Sequence, residues 1–126
     1  MKNPFLIKLE HVQIPVGNLE ASVQWYTTNL GFRLQSTSDM NRQAFLTLSE
    51  GPMLMLWETK DESQANFTVN GQIMPVLLFN TTRIHELYEL LRSLGSEISF
   101  YQEEGFGWVL KFIDPDGNMW GAIQYK

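Results

Sequence analysis

Phe112-Ile113-Asp114-Pro115-Asp116-Gly117-Asn118 is the stretch that decides the fold of this chain. Its proline, glycine and acidic residues make a tight turn. Pro115 presets φ, Gly117 tolerates φ > 0, and one strand is delivered into the next. Strand-like runs flank it, Trp108 to Ile113 before the turn and Met119 to Tyr125 after it. Upstream lies another strand, Glu97 to Gln102. Before that, Thr82 opens a helix whose Ile84, Leu87, Leu91 and Leu94 recur on one face until Gly95 ends it. The strand Gln72 to Asn80 completes a βαβββ order.

The first half repeats that order. Lys8 to Val16 alternates as a strand; Asn18 is a good N-cap, with Glu20 in the first helical turn. Leu19, Val23, Tyr26 and Leu30 then recur at helical spacing, and Gly31 closes the helix. Three strands follow: Phe32 to Ser36, Gln43 to Leu48 and Met53 to Glu58. Leu30-Gly31 matches Leu94-Gly95 at an offset of 64, and Glu50-Gly51 matches Asp116-Gly117 at an offset of 66. The chain thus reads as one domain, 1–126, made of two βαβββ modules, 5–58 and 72–126. The polar segment 59–71 (Thr59 to Gly71) reads as a linker rather than an element. Neither module can cover both faces of its sheet, so the sheets are expected to pair into a curved cleft with the helices outside. That is an α+β fold.

Composition narrows the function. With 126 residues, 44% of them hydrophobic, there is core enough for one domain and not for several. Nine Lys plus Arg against fourteen Asp plus Glu give a net charge of −5 with no basic block, which argues against nucleic acid and against polyanionic ligands. The absence of Cys excludes disulfides, thiolate metal sites and thiol nucleophiles, and fits a reducing compartment. No apolar run approaches the roughly 20 residues of a membrane span. Met1-Lys2-Asn3-Pro4 leads into a strand-like stretch rather than a signal sequence, so a cytoplasmic, soluble protein is expected. Aromatic residues make up 13%, four of them Trp, which points towards ligand binding.

The chain resembles the vicinal oxygen chelate superfamily, the group of glyoxalases, bleomycin-resistance proteins and extradiol dioxygenases. Three pieces carry the resemblance: His11-Val12-Gln13-Ile14-Pro15-Val16, Trp25-Tyr26-Thr27-Thr28-Asn29-Leu30-Gly31-Phe32, and the Asp-Pro-Asp-Gly-Asn turn. It spans nearly the whole chain, but the turn's role is structural and marks fold rather than chemistry. The resemblance implies the two-module fold and a homodimer. In the group's enzymes it also implies a divalent metal held by one side chain from each of four strands. Carried over residue by residue, those positions fall on His11, Met55, about Val76, and Gly121. His11 is a competent ligand; a thioether, an isopropyl group and a hydrogen atom are not. Nearby donors do not repair the site, because Glu58 and Gln124 have the wrong parity and Asn80 is too far along. No metal and no cofactor is therefore expected.

Taking His11 and the other positions that the resemblance implies as inward-facing, strand alternation lists what lines the cleft instead. Strand one contributes His11 and Gln13, strand four Met53, Met55 and Trp57, strand five Met74, Val76 and Leu78, and strand eight Met119, Gly121 and Ile123. Methionine adapts to varied apolar ligands, and Gly121 leaves space. Trp57 would be a stacking wall, with His11 and Gln13 as polar contacts. Trp108, with Phe100, Tyr101 and Phe106, would form a mobile aromatic hairpin over the site. Trp25 lies off its helical stripe, and Arg83 and His85 fall on the solvent face of helix two. The expected function is metal-independent binding of an apolar or aromatic small molecule, as in bleomycin-resistance-type members that sequester a toxic compound. Two other readings stay open. One is a lyase- or dioxygenase-type enzyme that pairs His11 with Glu58, Gln13 or Glu103, or uses His11 alone for acid/base chemistry. The other is a scaffold with a filled cleft.

Overall fold

A computed structural model of the chain describes residues 5–126, so the Met1-Lys2-Asn3-Pro4 lead lies outside the described residues. The chain divides into two compact units, the first ending at Lys60 and the second beginning at Asp61. Among the described residues no helix is long and apolar enough to cross a membrane.

The first unit runs β1 (His11–Val16), α1 (Leu19–Asn29), β2 (Arg33–Ser38), β3 (Gln43–Thr47) and β4 (Met53–Glu58). Its sheet has the order β1-β4-β3-β2, with β1 parallel to β4 and the other pairs antiparallel. Ile14, Val16, Ala44, Leu46, Leu54 and Leu56 are buried with Leu19 and Tyr26 of α1, so alternate residues of three strands form the core beneath the helix. Asn18 caps α1 as expected, its Oδ1 accepting the Ala21 N–H at 2.9 Å. The buried stripe is Leu19, Ser22 and Tyr26, with Val23 and Leu30 only half covered. Trp25 is half-buried, set edge-on to Tyr26. The first strand begins at His11 rather than Lys8, and Phe5, Leu6, Ile7 and Leu9 are exposed outside any strand.

The second unit runs β5 (Asn66–Val69), β6 (Gln72–Pro75), β7 (Leu77–Asn80), α2 (Ile84–Ser93), β8 (Ile98–Glu103), β9 (Gly107–Ile113) and β10 (Met119–Tyr125). Its four-stranded sheet, β7-β10-β9-β8, repeats the topology of the first. Ile84 and Leu91 of α2 are buried with Leu110, Phe112, Trp120 and Ala122 of the sheet. The helix starts at Ile84 rather than at Thr82. Its first N–H donates to Gln124 Oε1 on β10 at 2.8 Å, while Thr81 Oγ1 accepts the Arg83 N–H at 3.0 Å.

Two expectations need correction. The segment 59–71 is not a bare linker, because β5 pairs antiparallel with β6 through Asn70-Gly71. Both turn residues have positive φ, 51° and 80°, the two-residue hairpin geometry that Asn-Gly favours. Phe67, Val69 and Ile73 remain exposed, so no burial pattern marked this hairpin. The expected strand Gln72 to Asn80 is also two strands that part at Val76. Pro75 has no N–H to continue a ladder, so β6 stays with β5 while β7 pairs with β10.

The Asp-Pro-Asp-Gly-Asn turn is clamped by its two buried ends, Asp114 and Asn118. Asp114 Oδ1 accepts the N–H groups of Asp116 and Asn118, both at 2.8 Å, and Asp114 Oδ2 accepts from Asn118 Nδ2 at 2.9 Å. Asn118 Oδ1 in turn accepts the Ala65 N–H at 2.7 Å and so anchors the chain as it enters β5.

Candidate functional site

One face of each sheet lies under a helix; the opposite faces carry the candidate residues. In the first sheet β1 and β4 pair His11 with Met53, Gln13 with Met55 and Pro15 with Trp57. Phe45 of β3 lies beside Met55. The odd positions of β1 and β4 therefore share the helix-free face, in the parity expected. Trp57 is 38% exposed, and its indole Nε1 donates to Gln13 Oε1 at 2.6 Å. That bond orients the ring and leaves the two amide N–H donors of Gln13 for other acceptors. His11 is exposed, and among the described residues its imidazole has no hydrogen-bond partner.

Glu58 takes no part in this face. Its Oε2 accepts the Leu19 N–H at 2.9 Å at the start of α1, and its Oε1 accepts from Arg42 Nε at 2.9 Å. Arg42 also bridges to Glu20 at 2.9 Å. The Arg42 guanidinium, and after it the Leu19 N–H, hold the Glu58 carboxyl down at about 2. A pairing of His11 with Glu58 is thus overturned by strand parity. Gln13 is bonded to Trp57, and Glu103 lies in the other unit, 3.5 Å from Lys126.

On the second sheet one row of the helix-free face crosses all four strands: Phe100, Lys111, Gly121 and Leu78. The next row is Gln102, Val109, Ile123 and Asn80. Met119, two residues before Gly121, is buried. Gly121 does not leave an open space, because a Cβ there would come within 2.9 Å of the Leu78 side chain and 3.4 Å of the Pro75 ring. Val76 sits in the bend between strands, and Met74 lies on the β5-β6 hairpin.

Trp108 is on the wrong face for the expected site. It shares parity with the buried Leu110 and Phe112, and its ring meets His85 of α2 edge-on, 4.7 Å between centroids. Tyr101 joins the same cluster, stacked on Tyr88 at 3.8 Å and hydrogen-bonded to His85 Nδ1. His85 and Arg83 are exposed as expected, but the His85 ring is engaged by these aromatics and Arg83 by Glu86. The expected aromatic hairpin is therefore split: Phe100 faces away from α2, Tyr101 and Trp108 towards it, and Phe106 lies exposed beside Tyr125.

Lys111 is the feature that the sequence reading missed. Its Nζ lies 4.9 Å from the centroid of Phe100 and 3.8 Å from Met74 Sδ. The signal was a single cation inside the apolar run Val109-Leu110-Lys111-Phe112-Ile113, in register with Gly121 across the turn.

The family model described as the Glyoxalase/Bleomycin resistance protein/Dioxygenase superfamily matches residues 8–121. The chain belongs to that superfamily. Its fold is similar to that of TnmS3, an antibiotic binding protein from Streptomyces sp. CB03234, at TM-score 0.79 and 19% identity, over 98% of this chain and 100% of that one. It is also similar to FosX, a genomically encoded fosfomycin resistance protein from Listeria monocytogenes, at TM-score 0.79 and 14% identity over 97% and 96%. A glyoxylase/bleomycin resistance protein/dioxygenase domain from Frankia sp. EAN1pec reaches TM-score 0.75 and 27% identity over 96% and 93%. No curated protein matches the chain.

The metal that the superfamily resemblance implies does not fit the donors present. Of the positions His11, Met55, Val76 and Gly121, only His11 carries a ligand atom for a hard divalent cation. Among the described residues no three of His, Asp and Glu are grouped as a metal site requires. Gln124, the nearest donor on β10, lies on the helix side and accepts from the first turn of α2.

Proposed function

We propose that this superfamily member is a metal-independent small-molecule binding protein whose ligand is an apolar or aromatic compound. The observation that carries the reading is the helix-free face of the first sheet. Met53, Met55 and Phe45 lie there half-buried beside an indole held by Gln13, with His11 unengaged at one end. Thioether and aromatic surfaces favour flat apolar ligands, Trp57 offers a ring to stack on, and Gln13 and His11 supply hydrogen bonds that orient the ligand. TnmS3 binds an antibiotic and FosX is a resistance protein, so capture of a toxic compound suits the superfamily. A homodimer belongs to the same reading, supported by the exposed Phe5, Leu6, Ile7 and Leu9, whose apolar surface a second copy would cover.

The test is a fluorescence titration with N-phenyl-1-naphthylamine, a neutral aromatic probe. Saturable one-to-one binding is expected, weakened about tenfold in Trp57→Ala through loss of stacking. Absence of saturable binding would sink the reading. EDTA-stripped protein heated with Ni²⁺, Zn²⁺, Mn²⁺ or, anaerobically, Fe²⁺ is expected to keep its Tm. A saturable rise at micromolar metal would show a native-state ion site and overturn metal independence.

A further inference from the structure

We propose that Lys111 is the anion-recognition residue of this protein, and that its ligand carries an anionic oxygen on an aromatic or apolar body. The inference rests on the ligand-binding reading above only for the kind of ligand, and concerns the helix-free face of the second sheet by itself, to which it adds a charge.

Lys111 stands in a row with Phe100, Gly121 and Leu78, and the next row holds Val109 and Ile123 between Gln102 and Asn80. The side chain is half-buried, with mostly apolar neighbours on its face. Among the described residues its ammonium makes no ion pair, and its two contacts are the Phe100 ring and the Met74 thioether. Both partners are polarisable but uncharged. A ring face steadies a cation without neutralising it, and a thioether accepts only weakly. A structural lysine at such a depth normally ends on a carboxylate or in open water. Here the ring and the sulfur hold the ammonium in place while its charge stays available.

Flanking residues set the shape of what it meets. Gly121 has no side chain, and the Leu78 side chain occupies the space that one would take beside Lys111. Phe100 gives a ring on the other flank. A charge-assisted hydrogen bond from Nζ to an anionic oxygen would be strengthened by the apolar surface around it, while the ligand's body packs on Phe100 and Leu78. With a single ammonium, the site suits a monoanion such as a carboxylate, phenolate or sulfonate. The net charge of −5 works against anything more negative.

The test uses two probes that differ by one anionic group: N-phenyl-1-naphthylamine, which is neutral, and 1-anilinonaphthalene-8-sulfonate. Wild type is expected to bind the sulfonate about tenfold or more tightly than the neutral probe, as a charge-assisted hydrogen bond implies. Lys111→Met, close in volume and apolar, should lose that preference and keep its affinity for the neutral probe, which also reports that the variant is folded. Lys111→Arg should retain most of the preference. If the sulfonate preference is absent, or survives in Lys111→Met, while the neutral probe binds, the role of Lys111 is overturned and the ligand-binding reading stands. If neither probe binds wild type, both fall together.

Discussion

Glu58 shows how one strand position serves structure on a face opposite the candidate site. Its carboxyl joins the start of α1 to Arg42, and through Arg42 to Glu20. In the folded chain it titrates at about 2, against an ordinary 4.5. As pH falls, the unfolded chain takes up this proton first. The stability that the carboxylate contributes is therefore complete above about 4.5 and drains away as pH drops towards 2. Glu58→Gln is expected to lower the urea midpoint at neutral pH and to flatten its fall between about pH 5 and about pH 3. An acid limb as steep as that of wild type would show that Glu58 does not carry it. Gln13 makes a second residue-scale case, since its Oε1 is the acceptor for Trp57. Gln13→Leu should leave the fold intact, broaden the Trp57 environment in the emission spectrum and weaken aromatic ligands by several-fold, about the worth of one net hydrogen bond. An unchanged spectrum and affinity would mean that the bond does not orient the ring.

At the scale of elements, the turn after β9 does more than reverse the chain. Asn118 is fully buried and holds both Asp114 and the Ala65 amide. Asn118→Ala would leave these partners unsatisfied and is expected to cost about 1–3 kcal/mol in urea unfolding. Hydrogen exchange should report the loss first at Ala65, just before β5, rather than in α2. Protection lost evenly over the second unit would argue for a general packing defect instead. The two βαβββ modules were readable from the repeated pattern and its matched helix-ending glycines, while their shared 1-4-3-2 strand order came from the pairing of the strands. The β5-β6 hairpin was not, although Asn70-Gly71 is a strong local turn signal. Apolar alternation marks strands that serve a core, and Phe67, Val69 and Ile73 are exposed.

For the whole molecule, the acidic balance and the exposed N-terminal run bear on association. In the proposed homodimer Phe5, Leu6, Ile7 and Leu9 are covered, so sedimentation should give twice the 14.6 kDa chain mass. Removing residues 1–9 should shift the equilibrium towards monomer. A wild-type monomer at micromolar concentration would overturn the dimer and leave the binding reading untouched. The parity of β1 and β4 followed from the sequence once the superfamily resemblance set His11 and Met55 on one face, and the burial of Ile14, Val16, Leu54 and Leu56 on the other agrees with it. Alternation from those positions puts His11, Gln13, Met53, Met55 and Trp57 on one face, and Met119, Gly121 and Ile123 on one face of the other sheet. Tertiary structure decided the rest. Pro75 broke the fifth expected strand, which moved Val76 into a bend and Met74 onto a hairpin; Trp108 went to the helix side, where His85 and Tyr101 receive it. Leu78 filled the space beside Gly121, and Met74 and Phe100 converged on Lys111. Alternation along a strand says which face a side chain takes, but its neighbours come from strands distant in sequence, and only their pairing register brings them together.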